Sequence, residues 1–131
     1  MFTIQQMQAA HSKVKSAADF PAYVQEIKNS GLLYYTFNVT NGATVYTGAS
    51  DYQVSGEAKY PVQSINDNGN TDVLQQYIRQ HQQGRSDFFT FCRQCAECGV
   101  ERWVVDTRSM YCSYLDKAGN ALVVEPISEF L

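Results

Sequence analysis

Apolar side chains recur every three to four residues in four stretches of this chain, and more nearly every second residue in the stretches that follow them. The first stretch opens on Thr3 and Gln6, a capping-box pair, and puts Met7, Ala10, His11 and Val14 on one helical face. The second opens at Asp19 as an N-cap and tolerates Pro21 in its first turn. Phe20, Tyr23, Val24 and Ile27 then form a helical stripe, which Gly31 stops. Residues 32–39 read as a strand, with Leu33, Tyr35, Phe37 and Val39 on the apolar face and Leu32, Tyr34, Thr36 and Asn38 on the wetter one. Asn41-Gly42 predicts a type I′ hairpin leading into a return strand over 43–47.

Residues 48–70 are the least regular part, rich in the turn formers Gly48, Gly56, Pro61 and an Asn66-Asp67-Asn68-Gly69-Asn70 run. A loop of this length hides short strands, around Val54 and over 60–65, or is a functional flap. A third helix starts near Thr71 or Asp72, carries Val73, Leu74, Tyr77, Ile78 and His81, and stops at Gly84. Ser86 or Asp87 caps the fourth, whose stripe is Phe88, Phe91, Cys92 and Cys95 and whose stop is Gly99. Strands follow over 100–106, 110–115 and 121–125, with a turn over 116–120 and Pro126 closing the last.

The two halves match without a gap at an offset of 68 residues. Asp19 falls on Asp87, Phe20 on Phe88, Tyr23 on Phe91, Gly31 on Gly99, Tyr35 on Trp103, Phe37 on Val105, Asn38 on Asp106 and Tyr46 on Tyr114. The predicted fold class is therefore α+β: an internally duplicated helix-helix-strand-strand-strand unit. Its strands form an antiparallel sheet with the helices on one face. The expected organisation is a single domain over 1–131, with halves of about 1–56 and 70–131 joined by the irregular segment.

Composition narrows the function classes. A net charge of -3 and no run of like charge argue against nucleic acid as a partner, because phosphate neutralisation needs a basic footprint. No apolar run approaches the roughly 20 residues of a membrane span. The opening MFTIQQMQAAHSKVKS has no basic segment followed by a long apolar one, so no secretory signal and no membrane association are expected. Three of the four cysteines lie within seven residues, unlike a disulfide framework, which predicts reduced thiols and a cytoplasmic location.

Cys92, Cys95, Cys98 and Cys112 are the one set with ligand chemistry, for zinc, an iron–sulfur cluster or a redox role. Their spacing fits poorly. Zinc modules present ligands in two pairs, and here the second pair is a single cysteine. At the 68-residue offset Cys92 and Cys95 fall on Val24 and Ile27, which read as core. On a helix the first three positions spread over about 120°. The site also sits at a helix C-terminus, where the dipole disfavours a thiolate. No cofactor is expected. The two histidines, His11 and His81, lie on helical faces where local packing explains them, and no nucleophile elbow or phosphate loop occurs. Asp106 reads as an Asx turn before it reads as an acid, since its counterpart is Asn38.

The opening MFTIQQMQAAHSKVKSAADFPAYVQEIKNSG, the central AKYP, the HQQGRSDFFTFCRQCAECGVERWVVD stretch and YLDKAGNALVVEPI resemble a family of small bacterial proteins of unknown function, often labelled phage envelope protein. The resemblance covers nearly the whole chain. It implies a prophage or virion link and carries no catalytic residues.

The leading functional expectation is a non-enzymatic module that binds a protein or small-molecule partner, with a homodimer among the assemblies this allows. Its binding candidates are Tyr34, Trp103, Asp106 and Tyr114, because tyrosine and tryptophan are enriched where surfaces bind. One alternative is a cysteine-based zinc or redox module. Another is a small enzyme with its site between residues 48–70 and the strand ends near Trp103 and Asp106.

Overall fold

The computed structural model describes residues 1–127, so the last four residues of the expected 1–131 unit lie outside it. The elements run α1 (Ile4–His11), α2 (Phe20–Asn29), β1 (Leu32–Asn38), β2 (Thr44–Gly48), β3 (Gln53–Ser55), α3 (Thr71–Gln82), α4 (Phe88–Glu97), β4 (Arg102–Asp106), β5 (Tyr111–Leu115) and β6 (Ala121–Pro126). The fold is α+β, as expected from strands joined by tight turns. All six strands form one antiparallel sheet in the order β3-β2-β1-β4-β5-β6.

The caps follow the residue chemistry with one exception. Thr3 and Gln6 exchange both capping-box bonds, at 3.1 and 2.8 Å. Asp87 accepts from Thr90 N–H at 2.7 Å and Asn70 from Val73 N–H at 3.2 Å. Asp19 does not cap α2. Its carboxylate turns back to accept from the N–H groups of Lys15 and Ser16, because a single 3₁₀ turn over Ala17–Asp19 precedes the helix.

The β1–β2 connection also departs from expectation. It spans 39–43, and only Gly42 takes a positive φ, +77°, so it is not a type I′ turn, which needs two such residues. Asn41 instead accepts from Ala43 N–H through its own side chain, an Asx turn. Its carbonyl accepts from Lys59 and Tyr60, which dock the following segment onto the loop. Residues 60–65 form no strand. Together with residues 56–59 they run as a strap without regular structure, held by Tyr60 and Gln63, both donating to the Val39 carbonyl, at 2.6 and 2.9 Å. Val54 does lie in a strand, β3.

Along β1 a bulge between Leu32 and Tyr34 resets the alternation. Leu32 is buried and Leu33 only half-buried, the reverse of the pattern read from sequence, whereas Tyr35, Phe37 and Val39 are buried as expected. The covered face of the sheet carries Tyr35, Phe37, Tyr46, Trp103, Val105, Cys112, Tyr114 and Val123. Against it lie Tyr23, Val24 and Ile27 from α2, Leu74 and Ile78 from α3, and Phe91, Cys92 and Cys95 from α4.

The central strand pair has a self-matching register. Thr36 faces Val104, the residue 68 positions on, while Tyr35 faces Val105 and Phe37 faces Trp103. A local twofold through the Thr36–Val104 pair would produce this register. Just past β4, Thr107 closes the junction with β1. Its hydroxyl donates to the carbonyls of Leu32 and Leu33 at 2.7 and 2.9 Å, fully buried. Thr107→Val keeps the volume but takes the hydroxyl from both carbonyls, leaving Leu33 with the Thr107 N–H at 3.0 Å. It is expected to lower stability by about 1–2 kcal/mol in urea unfolding followed by circular dichroism.

Candidate functional site

The four expected binding residues do not converge. Trp103 and Tyr114 are neighbours on the covered face, their ring centroids 5.8 Å apart, and both are buried. Tyr34 and Asp106 are register partners on the opposite face. There Arg108 bridges them: it pairs with Asp106 at 2.9 Å, and its guanidinium stands 5.8 Å from the Tyr34 ring centre. Asp106 also accepts from the N–H groups of Arg108 and Ser109, which is the Asx turn expected of it.

Trp103 leads to the site that the other residues miss. A cleft of about 220 Å³ opens over β1 and β2, between α1 and α2 on one side and the start of α4 on the other. One wall is aromatic: Phe37 stacks on Trp103 at 4.3 Å, and Phe88 meets both edge-on, at 5.3 and 6.3 Å. The floor carries four hydroxyls, of Tyr23, Tyr35, Tyr46 and Thr44, with the Tyr35 ring centre 6.4 Å from that of Tyr23 and 5.6 Å from that of Tyr46. All three tyrosines are buried, and that desolvation pushes each phenol's pKa above its ordinary value. They stay protonated at neutral pH and act as donors and acceptors, not as bases.

The mouth carries the charges. Lys59, on the strap, holds its ammonium 5.2 Å from the Phe88 ring centre and 5.8 Å from that of Phe37. Glu57, two residues earlier, also lines the cleft. His11 sits edge-on to Tyr23 at 5.4 Å. It is exposed overall, but partial burial of the ring and the Lys59 charge hold its pKa below the usual value. Among the described residues Glu57 is the one carboxylate lining the cleft, with no second acid beside it in the lining.

Of residues 48–70, Gly56, Glu57 and Lys59 line the cleft. His11 is part of the rim and is not merely packed. Tyr23, Tyr35, Tyr46, Lys59 and Glu57 were not among the candidates read from sequence. A signal was present in the offset alignment, because Phe91 and Trp103 carry no hydroxyl where Tyr23 and Tyr35 do.

The cysteines are all free and buried. Burial pushes the Cys92 thiol up to about 11 and Cys112 up to about 12, and lifts Cys95 and Cys98 as well. Among the described residues, no group of three or more His, Cys, Asp or Glu side chains is placed to hold a metal ion. His81 stacks flat on Phe91 at 4.4 Å, and its Nδ1 lies 3.1 Å from the Ser86 carbonyl, a packing role. No helix among the described residues is long and apolar enough to cross a membrane.

With this geometry in place, comparison with known proteins adds a family and no activity. The family described as Protein of unknown function (DUF1398) matches residues 8–126. No curated protein matches the chain.

Proposed function

Because the chain belongs to the DUF1398 family, whose description assigns no activity, we propose its function from the cleft: it is a non-enzymatic module that binds a small organic molecule there. The observation that carries this reading is the set of four hydroxyls, of Tyr23, Tyr35, Tyr46 and Thr44, lining one cleft with an aromatic slot. A core needs no such set. At the 68-residue offset the other half uses Phe91, Trp103 and Cys112 where this half uses Tyr23, Tyr35 and Thr44. Apolar walls with a few convergent polar groups are the usual make-up of a small-molecule site. The volume falls below the roughly 300–1,000 Å³ of drug-sized pockets and suits a single-ring ligand.

The absence of ionisable phenols supports binding over catalysis, since three tyrosines held above their ordinary pKa supply no base at pH 7. Four free thiols support a reducing compartment, which we take to be the cytoplasm. The phage label of the resembling proteins is not needed for this reading.

Trp103, the only tryptophan, lines the cleft and reports on it. Titration with a panel of single-ring compounds is expected to change its emission saturably. Tyr46→Phe, which removes one hydroxyl and stays folded, weakens that response by about tenfold, the size of one hydrogen bond left unmade. A panel that gives no saturable response by emission or by calorimetry overturns the reading.

A further inference from the structure

The charges at the cleft mouth name the ligand class, and this inference rests on the binding role just proposed. Lys59 and Glu57 carry opposite charges, lie two residues apart on the strap and line the same opening. They are not paired with each other. The ion pairs among the described residues are Lys13–Glu26, Glu101–Arg102, Asp106–Arg108 and Asp67–Lys117. Neither strap residue takes part in any of them. A free surface lysine extends into water, where its ammonium is best hydrated. Lys59, though exposed overall, sets its ammonium beside the rings of Phe88 and Phe37, near enough to His11 for its charge to help hold that pKa down. The cation thus stands beside the aromatic slot, and Glu57 lines the same opening.

We propose that the cleft binds a small zwitterion bearing one aromatic ring, of which a free aromatic α-amino acid is the simplest form. The ring enters the slot walled by Phe37, Phe88 and Trp103. The ligand carboxylate meets the Lys59 ammonium, and the ligand ammonium meets the Glu57 carboxylate. Two opposite unpaired charges at one opening suit a zwitterion better than an anion or a cation, each of which would meet one like charge. Tyr46 and Thr44 remain available beneath for a ring hydroxyl.

The test follows Trp103 emission, with calorimetry in parallel for optically silent complexes. The probes are L-phenylalanine, 3-phenylpropionate, which lacks the ammonium, and phenethylamine, which lacks the carboxylate. L-phenylalanine is expected to bind at least about tenfold more tightly than either truncated probe, as expected for one charge-assisted contact. Lys59→Met should erase its advantage over phenethylamine and leave its advantage over 3-phenylpropionate. Glu57→Gln should do the reverse. Both positions are exposed, so neither variant endangers the fold. Equal binding of all three probes, or variants that leave the ranking unchanged, would overturn the zwitterion assignment while leaving a binding cleft. No binding by any ring compound, charged or neutral, would remove the binding role itself.

Discussion

Gly99→Ala is expected to lower the unfolding free energy by about 3 kcal/mol or more, whereas Gly31→Ala, at the matching position of the first half, should cost only about 1 kcal/mol. Both glycines end a helix with positive φ, +99° at Gly31 and +87° at Gly99. Alanine is strained at either place by a similar amount. The difference lies in what a Cβ would meet. At Gly31 nothing lies within 4 Å. At Gly99 a Cβ would stand 2.9 Å from the Gly69 Cα, 3.1 Å from the Asn68 carbonyl oxygen and 3.2 Å from the Gly69 nitrogen. These are backbone atoms, and their segment has no freedom to retreat. Asn66 N–H donates to the Ala96 carbonyl at 2.9 Å and Asn70 N–H to the Cys98 carbonyl at 3.0 Å, one bond on each side of the contact. Urea midpoints of the two variants, with unchanged slopes, separate backbone strain from steric conflict. Equal losses would mean that the 66–70 segment is not clamped against the end of α4.

The same comparison shows why some of the fold could be read from the chain and some could not. Gly31 and Gly99 are equally visible as helix stops, because φ preference is local. The close approach of Gly69 to Gly99 is not visible, because it depends on where a turn-rich segment comes to rest. The helices and five of the six strands were legible for the same local reason: periodic stripes such as Phe20-Tyr23-Val24-Ile27 declare the face they bury. Asn41-Gly42 misled because the hairpin is completed by Lys59, Tyr60 and Gln63 from the strap, so its geometry answers to tertiary contacts. Leu32 and Leu33 exchanged faces because a one-residue bulge is invisible in a pattern of two adjacent leucines. The candidate site was only partly legible. Trp103 was found, since a lone tryptophan in a strand attracts attention. Tyr23 and Tyr35 read as stripe and strand residues, and nothing in either element says that both line one cleft. Lys59 and Glu57 lay in a stretch with no period at all.

Alkaline pH is expected to destabilise the protein steeply, by about 3 kcal/mol between pH 8 and pH 10 through Cys92 and Cys112 alone, with the raised thiols of Cys95 and Cys98 adding in the same direction. The reference pKa of each thiol is 9.0, while burial raises Cys92 to about 11, Cys112 to about 12 and Cys95 well above its ordinary value. The sign follows from proton binding. Above the unfolded pKa the unfolded chain sheds thiol protons that the folded chain keeps, so stability falls as pH rises, by up to about 1.4 kcal/mol per unit for each thiol. Below pH 8 both states hold the protons and these groups add no pH dependence. The raised tyrosines Tyr23, Tyr35, Tyr46, Tyr60 and Tyr114 join the same trend from about pH 9 upward, because their ordinary value is 10.0, so the interval from pH 8 to pH 9 reads the thiols most cleanly. Urea unfolding at pH 7.5, 8, 9 and 10 measures the slope, and Cys112→Val, which keeps an apolar group at this buried strand position, should make it shallower between pH 8 and pH 9. The two outcomes also bear on cysteine chemistry. Metal binding and redox exchange both need an accessible thiolate, and a steep alkaline loss shared among these thiols means that the folded state holds them protonated. A flat profile would mean that they ionise in the folded protein near their ordinary pKa, and the cysteine-based reading would then regain the chemistry it requires.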